Sequence, residues 1–528
     1  MTAKHRAHDS TLQKPNSRSR CVLCTAPRKE HRPICCDHVG CATVEEVPDE
    51  VLLHIFNFCM REVDNEEEWE TLVHVCRRWR FIVYGAPRRL DLRLVCTAGT
   101  PARKMLDIWP VLPIFIRVFG LDASEGIDNI VAALEHNDRV REIYVEDASN
   151  SALETLAAAM QDPFGELMHL DLCSLEETAP VLPDSFLGGT APRLRSLSLR
   201  SIPFPALPKF LLSSTDLVSL GLWDIPNSGY ISPEVMVTCL SALTGLADLY
   251  IQFRSPRPRP DQESEHSPPP ATRAVLPVLT SLAFQGASEY LDHFFAHIEA
   301  PMLKYVDMRF FNPAIFEVSQ ITPFVGCTEP FKALNQAHML FYRDFIDITL
   351  SSRAWSVATG GGRLGGGKTL QSVLLIKCKE SRWQLWSLTQ ACRPSFAPGS
   401  PSELEYFDVR EPEDFSDADS DSDSNSGRYS PPWADEMENA KWLELLHFFP
   451  IVEHLYLSEE IALRVARALQ EVFAERLPTV LPALQNLFIE RLQPTGPIQE
   501  VIGKFVVAKQ LSGHPIAVRC WVRENRCQ

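Results

Sequence analysis

The chain has 528 residues, 45% of them hydrophobic, and a formal net charge of −17. That length and apolar content predict a sizeable core spread over more than one domain, and the acidic balance argues against general binding to nucleic acid or to an anionic membrane surface. No apolar run is long enough to span a bilayer, and 40 prolines against 24 glycines predict short segments punctuated by turns.

Residues 1–43 are basic and polar and open with MTAKHRAHDSTLQK, which lacks the apolar core of a secretion signal. They carry Cys21, Cys24, Cys35, Cys36 and Cys41, with His31 and His38 nearby. Four such groups are suitable ligands for a structural zinc, but the second half is not a clean C-x-x-C pair. The alternative is a disordered tail with incidental cysteines, and on that reading no metal site is assigned. Most of the 15 cysteines are scattered singly, often inside apolar stretches (Cys59, Cys76, Cys239). This predicts reduced, buried thiols in a cytoplasmic or nuclear protein.

Residues 44–94 read VEEVPDEVLLHIFNFCMREVDNEEEWETLVHVCRRWRFIVYGAPRRLDLRL. Pro48 suits the first position of a helix, where its missing N–H costs nothing. Val51, Leu52, Ile55, Phe56 and Cys59 then recur at helical spacing, and a second helix is expected to carry Trp69, Leu72, Val73, Cys76, Trp79 and Val83 on one stripe. A unit of this size cannot supply a self-sufficient core. Its apolar surface is therefore expected to be covered by a partner or a following domain.

The order V-P-D-E-V-L-L-x-I-F, followed by L-V-x-V-C-R-R-W-R-x-I-V, resembles the F-box, in particular that of the long F-box proteins of mushroom-forming fungi. Val47 stands where leucine is usual, and an acidic loop lengthens the gap between the helices. The resemblance implies an adaptor that docks onto the Skp-type linker and cullin of an SCF-type ubiquitin ligase and presents a protein substrate held by its C-terminal part. Carried over residue by residue, it marks Val47, Pro48, Leu52, Ile55, Phe56, Cys76 and Trp79 as docking residues or their packing support.

From Val140 onward a pattern L-x-x-L-x-L recurs: LMHLDL at Leu167, LRSLSL at Leu194, LVSLGL at Leu217, LADLYI at Leu246, LTSLAF at Leu279 and LKYVDM at Leu303. Looser copies start at Phe345, Val373, Leu404, Val452 and Leu484. Starts between Val140 and Leu303 lie 23 to 33 residues apart, mostly the spacing of leucine-rich repeats. Alternation puts the second and third apolar positions of each copy on one face of a short strand, and stacked copies give a curved parallel sheet. Stretches such as 127–136 and 151–160 have helical spacing and suit the crossovers. An ordinary α/β domain is the plainer alternative. The expected fold is thus α/β, with a short all-α N-terminal F-box followed by a curved leucine-rich-repeat-like solenoid with parallel strands. Its expected parts are a disordered basic tail (1–43), the F-box (44–94), repeats (95–410), an acidic disordered linker (411–432), and terminal repeats with a cap (433–528).

The repeats are interrupted at 255–270, a Pro-rich loop (SPRPRPDQESEHSPPP), and at 352–370. The latter contains TGGGRLGGGKT, in which Gly362–Thr369 matches the phosphate-cradling pattern G-x-x-x-x-G-K-T. A working phosphate loop leads into a helix, whereas LQSVLLIKCK downstream reads as a strand. The glycine tract, with Lys368, is accordingly read as a connection between repeat strands, and Asp408 is a weak magnesium candidate already explained by such a strand. The segment EPEDFSDADSDSDSNSG (411–427) is acidic and poor in apolar residues, hence a solvated linker whose serines are alternative phosphorylation sites. His293 and His297 lie four apart, a spacing read as a surface feature rather than a metal site. There is no G-x-S-x-G elbow and no H-E-x-x-H helix, so neither an enzyme nor a cofactor is expected.

Residues between the core positions of the repeat strands should face the concave surface, where repeat proteins bind their partners. Trp223, Tyr250, Tyr305, Arg309, Tyr406, Arg410 and Tyr456 are the candidates there, being aromatic or arginine, the types enriched at binding hot spots. The alternatives to a ligase adaptor are a repeat-based protein-binding scaffold without ligase recruitment and, more distantly, a P-loop nucleotide-binding protein.

Overall fold

The computed structural model describes residue 44 and residues 46–521, apart from 63–67, 109–110, 122–125, 177, 256–272, 312–320, 342–344, 353–372, 380–403, 412–438, 448, 473–478 and 493–495. The N-terminal cysteines and histidines, the body of the Pro-rich insert, the P-loop-like tract and the acidic run after Glu411 lie outside the described residues.

Three helices come first: α1 (Asp49–Glu62), α2 (Glu68–Val75) and α3 (Arg77–Gly85). The Pro48 carbonyl accepts the N–H groups of Val51 and Leu52, each at 3.1 Å. Asp49 and Glu50 lie in the first turn of α1, where negative charge complements the helix dipole. The expected second helix is two helices, because Cys76 takes an extended conformation and its Sγ accepts the Trp79 N–H at 3.4 Å, capping α3. Leu52, Leu53 and Phe56 of α1, Trp69 and Val73 of α2, and Ile82 and Val83 of α3 are buried in one core with Leu92 and Leu94.

Strands and helices then alternate. The first part comprises β1 (Leu94–Cys96), α4 (Ala102–Ile108), β2 (Ile114–Phe119), α5 (Ile127–Leu134), β3 (Val140–Ala148), α6 (Asn150–Ala159), β4 (His169–Ser174) and β5 (Ser196–Arg200). The middle comprises α7 (Leu207–Leu211), β6 (Ser219–Ile225), α8 (Pro233–Leu240), β7 (Asp248–Phe253), β8 (Ala274–Val275), β9 (Ser281–Gly286), α9 (Ser288–Ala296), β10 (Ile298–Glu299) and β11 (Tyr305–Phe310). The last part runs through α10 (Ile321–Cys327), β12 (Gln336–Phe341), β13 (Phe345–Ser351), β14 (Val373–Lys379), β15 (Tyr406–Arg410), α11 (Asn439–His447), β16 (His454–Leu457), α12 (Glu459–Gln470), β17 (Asn486–Glu490), α13 (Pro497–Leu511) and β18 (Ala517–Trp521).

Sixteen of these strands form one sheet, in the order β1-β2-β3-β4-β5-β6-β7-β9-β11-β14-β13-β12-β15-β16-β17-β18, while β8 and β10 pair separately. The architecture is mixed α/β with a large, mostly parallel sheet. Its register makes the core directly readable. Ile143, Leu170, Leu197, Leu220, Leu249, Leu282 and Val306 are successive register partners, and so are Val145, Leu172, Leu199 and Leu222. All of them are buried. Each strand thus turns one face to the core and the alternate residues to the other face, as period-2 geometry requires.

Two features depart from the expected array. The sheet begins earlier than Val140, with β1 and β2, and it includes β12, whose Ala337, Met339 and Phe341 are buried on alternate positions. The copy starting at Phe345 is not a parallel repeat strand: β13 runs antiparallel to both β12 and β14. Antiparallel neighbours need no crossover helix, so the tract between them joins strands of opposite direction rather than two successive parallel repeats. The copy starting at Leu404 keeps the common offset: β15 opens two residues in, at Tyr406, just as β4 to β7 open two residues after Leu167, Leu194, Leu217 and Leu246. Cys239 is buried as expected, but Cys59 and Cys76 are exposed, contrary to the reading of the thiols as buried. No helix among the described residues is long and apolar enough to cross a membrane.

Candidate protein-interaction surfaces

Two surfaces follow from this framework. The first belongs to the helical unit. With Leu52, Leu53 and Phe56 turned inward, α1 leaves Val51 46%, Ile55 47% and Phe58 62% exposed. Their spacing of four and then three residues places them on one stripe of the helix, with exposed Cys59 beside it. Such a stripe is the opposite of what a solvated helix face carries.

The seven residues marked by the resemblance divide between this surface and its support. Pro48, Ile55 and Cys76 are exposed, whereas Leu52 and Phe56 are buried. Trp79 is half-buried, its ring 4.7 Å from that of Phe56. Val47 is half-buried against the core, and its carbonyl accepts from Arg78. Arg78 also donates to Asp49 Oδ1 from Nε at 2.9 Å and from Nη2 at 2.6 Å, so the start of α3 is tied to the start of α1. Val51 and Phe58 complete the stripe and are not among those seven. Their signal in the sequence is apolar character on the flank of the helix beside the Leu52–Phe56 pair.

The second surface is the sheet face opposite the core rows. All seven residues expected there alternate with core positions, but they fall into two groups. On β6 and β7 the rings of Trp223 and Tyr250 stack with centroids 4.9 Å apart and planes 23° from parallel. Gly221 permits this arrangement, since a Cβ there would come within 2.5 Å of the Trp223 Nε1. The Arg200 guanidinium lies 5.6 Å over the Trp223 ring. Two strands further along, Arg309 Nη2 donates to Asp307 Oδ2 at 2.9 Å. Burial pushes the neighbouring Tyr305 hydroxyl well above its ordinary pKa. Burial likewise raises the carboxyls of Asp171 and Asp248 on this face.

The second group sits on β15 to β18. Tyr406 stacks on His454 at 4.6 Å, and Tyr456 stacks on Phe488 at 4.3 Å with planes 3° apart. Arg410 is 7% exposed, donates from Nε to Asp408 Oδ1 at 2.6 Å, and holds its guanidinium 4.3 Å over the Trp521 ring. The two groups are separated by β14, β13 and β12, a gap of roughly 19 Å between β11 and β15 at ordinary strand spacing. One small ligand does not reach both; an extended protein surface does. His454, Phe488, Arg519 and Trp521 join the second group and were not singled out from the sequence. They become neighbours of Tyr406 and Tyr456 only through strand register.

His293 and His297 stay apart from either surface. The imidazole Nδ1 of His297 is 2.8 Å from the His293 carbonyl, and His293 Nδ1 is 3.9 Å from Glu234 Oε1. Among the described residues, no group of three or more His, Cys, Asp or Glu side chains is arranged to hold a metal ion. What both surfaces offer is stacking faces, guanidinium groups and exposed apolar side chains, the chemistry of protein recognition. No protein-family model matches the chain, and a search of curated proteins found no significant match.

Proposed function

We propose that the chain is a substrate-recognition adaptor of an SCF-type cullin–RING ubiquitin ligase, with no catalytic centre of its own. In this reading α1 to α3 are an F-box that docks onto the Skp-type linker. The strand–helix units that follow are a leucine-rich-repeat-like solenoid, whose face opposite the core holds a protein substrate. The observation that carries the reading is the exposed stripe Val51, Ile55 and Phe58 on α1. Apolar surface on a helix already packed on its other side calls for a second protein. The resemblance of V-P-D-E-V-L-L-x-I-F and C-R-R-W-R to the F-box supplies the identity of that protein.

Because Ile55 and Phe58 are exposed, Ile55→Asp and Phe58→Asp leave the core intact while placing charge at the contact. Co-purification of the linker with the full chain is expected to be lost in the double variant, with the circular dichroism spectrum unchanged. Linker recovery equal to wild type from the folded variant would refute the docking. The chain would then be a protein-binding scaffold without ligase recruitment.

A further inference from the structure

The sheet ends at β18, whose one sheet neighbour among the described residues is β17. The Ala517 N–H donates to the Gln485 carbonyl at 2.8 Å, and the Trp521 carbonyl accepts the Arg491 N–H at 3.2 Å. Residues 517 and 521 therefore turn their backbone groups toward β17. Alternation along the strand turns those of Val518 and Cys520 to the open edge.

The side chains tell the same story from both faces. Val518 and Cys520 are in register with buried Leu487 and Ile489, yet Val518 is only half-buried and Cys520 is exposed. The core rows thus run out into solvent at this edge. On the other face, the exposed Arg519 continues the register row of Tyr456 and Phe488, its guanidinium 5.8 Å from the Phe488 ring.

An open strand edge is a template for another extended chain. Side-chain charge decides which chain fits. A second copy pairing antiparallel about the middle of β18 would set Arg519 against Arg519, and like charges directly opposite each other are destabilising. An acidic side chain at that place gains an ion pair instead, and apolar neighbours on either side of it extend the rows that end at Val518 and Cys520.

We infer that β18 takes up an extended segment of a partner protein as an added strand, with a carboxylate opposite Arg519 and apolar side chains beside Val518 and Cys520. The site lies at the opposite edge of the sheet from β1, which follows the helical unit, and stands whether or not the linker docks there.

The test is fluorescence anisotropy of the full chain with two labelled peptides, Ser-Thr-Val-Glu-Val-Thr-Ser and its counterpart with Lys in place of Glu. The Glu peptide is expected to bind about tenfold more tightly or better, and Arg519→Glu to reverse that order. Cys520→Pro removes an N–H that faces the open edge while sparing the ladder to β17, and is expected to abolish binding of both peptides. Should that variant misfold, the charge reversal alone decides. Equal affinity for the two peptides, no binding of either, or an edge taken instead by a second copy (a dimer in sedimentation that Arg519→Glu leaves intact) would overturn the inference.

Discussion

The indole Nε1 of Trp69 donates to the Arg93 carbonyl at 2.9 Å, which ties the largest buried side chain of the helical unit to the residue that leads into β1. Helices and sheet consequently share one core, in which Leu52 and Trp69 belong with Leu92 and Leu94. Trp69→Phe leaves the carbonyl without that donor and removes part of a ring that is 1% exposed. The expected cost is about 1–3 kcal/mol. Denaturant unfolding of the variant should show it as a lower midpoint; an unchanged midpoint would mean that the bond contributes nothing.

The Gly221–Trp223 relationship makes a prediction that separates packing from backbone effects. Gly221→Ala drives a methyl group into the space of the Trp223 indole and is expected to cost about 1–3 kcal/mol, as overpacking does. In a Trp223→Ser background the same change should be close to neutral. A cost of equal size in both backgrounds would place its origin in the strand and not in the ring.

Those two relationships also show what the sequence reveals and what it conceals. The rows through Leu170, Leu197 and Leu220 are legible because L-x-x-L-x-L fixes both the period and the buried face. Strand direction is not legible in that way. FIDITL has the same alternation as its parallel counterparts, and only the pairing of β13 with β12 and β14 reveals that it runs backwards. The break at Cys76 is hidden for a related reason, since the apolar spacing continues across it and cysteine is not among the preferred N-caps. The ring stacks Tyr406–His454 and Tyr456–Phe488 join residues 48 and 32 apart in sequence. No local pattern announces them.

Lys509 provides a titration. It is fully buried, its Nζ donates to the Leu481 carbonyl at 2.7 Å, and burial lowers its pKa from 10.5 to about 8. Between these values the unfolded chain binds the proton and the folded chain releases it, so this residue's contribution to stability rises with pH across that window. Below about pH 8 the cost of burying the charge is present in full. Measured against Lys509→Met, which removes the titrating group, the wild type should gain in relative stability from pH 8 to pH 10. A difference that stays flat over this range would contradict the assignment.

The helical unit proposed to dock through the exposed stripe of α1 carries two exposed thiols, one beside the stripe and one at the start of α3. Cys59 and Cys76 are both exposed, as are Cys327 and Cys520 far along the chain. Alkylation of the full chain, read by peptide mass spectrometry with and without saturating Skp-type linker, therefore reports the docking surface directly. The linker is expected to slow modification of Cys59 and Cys76 and to leave Cys327 and Cys520 unaffected. Unchanged rates at Cys59 and Cys76 in the presence of the linker would contradict the docking.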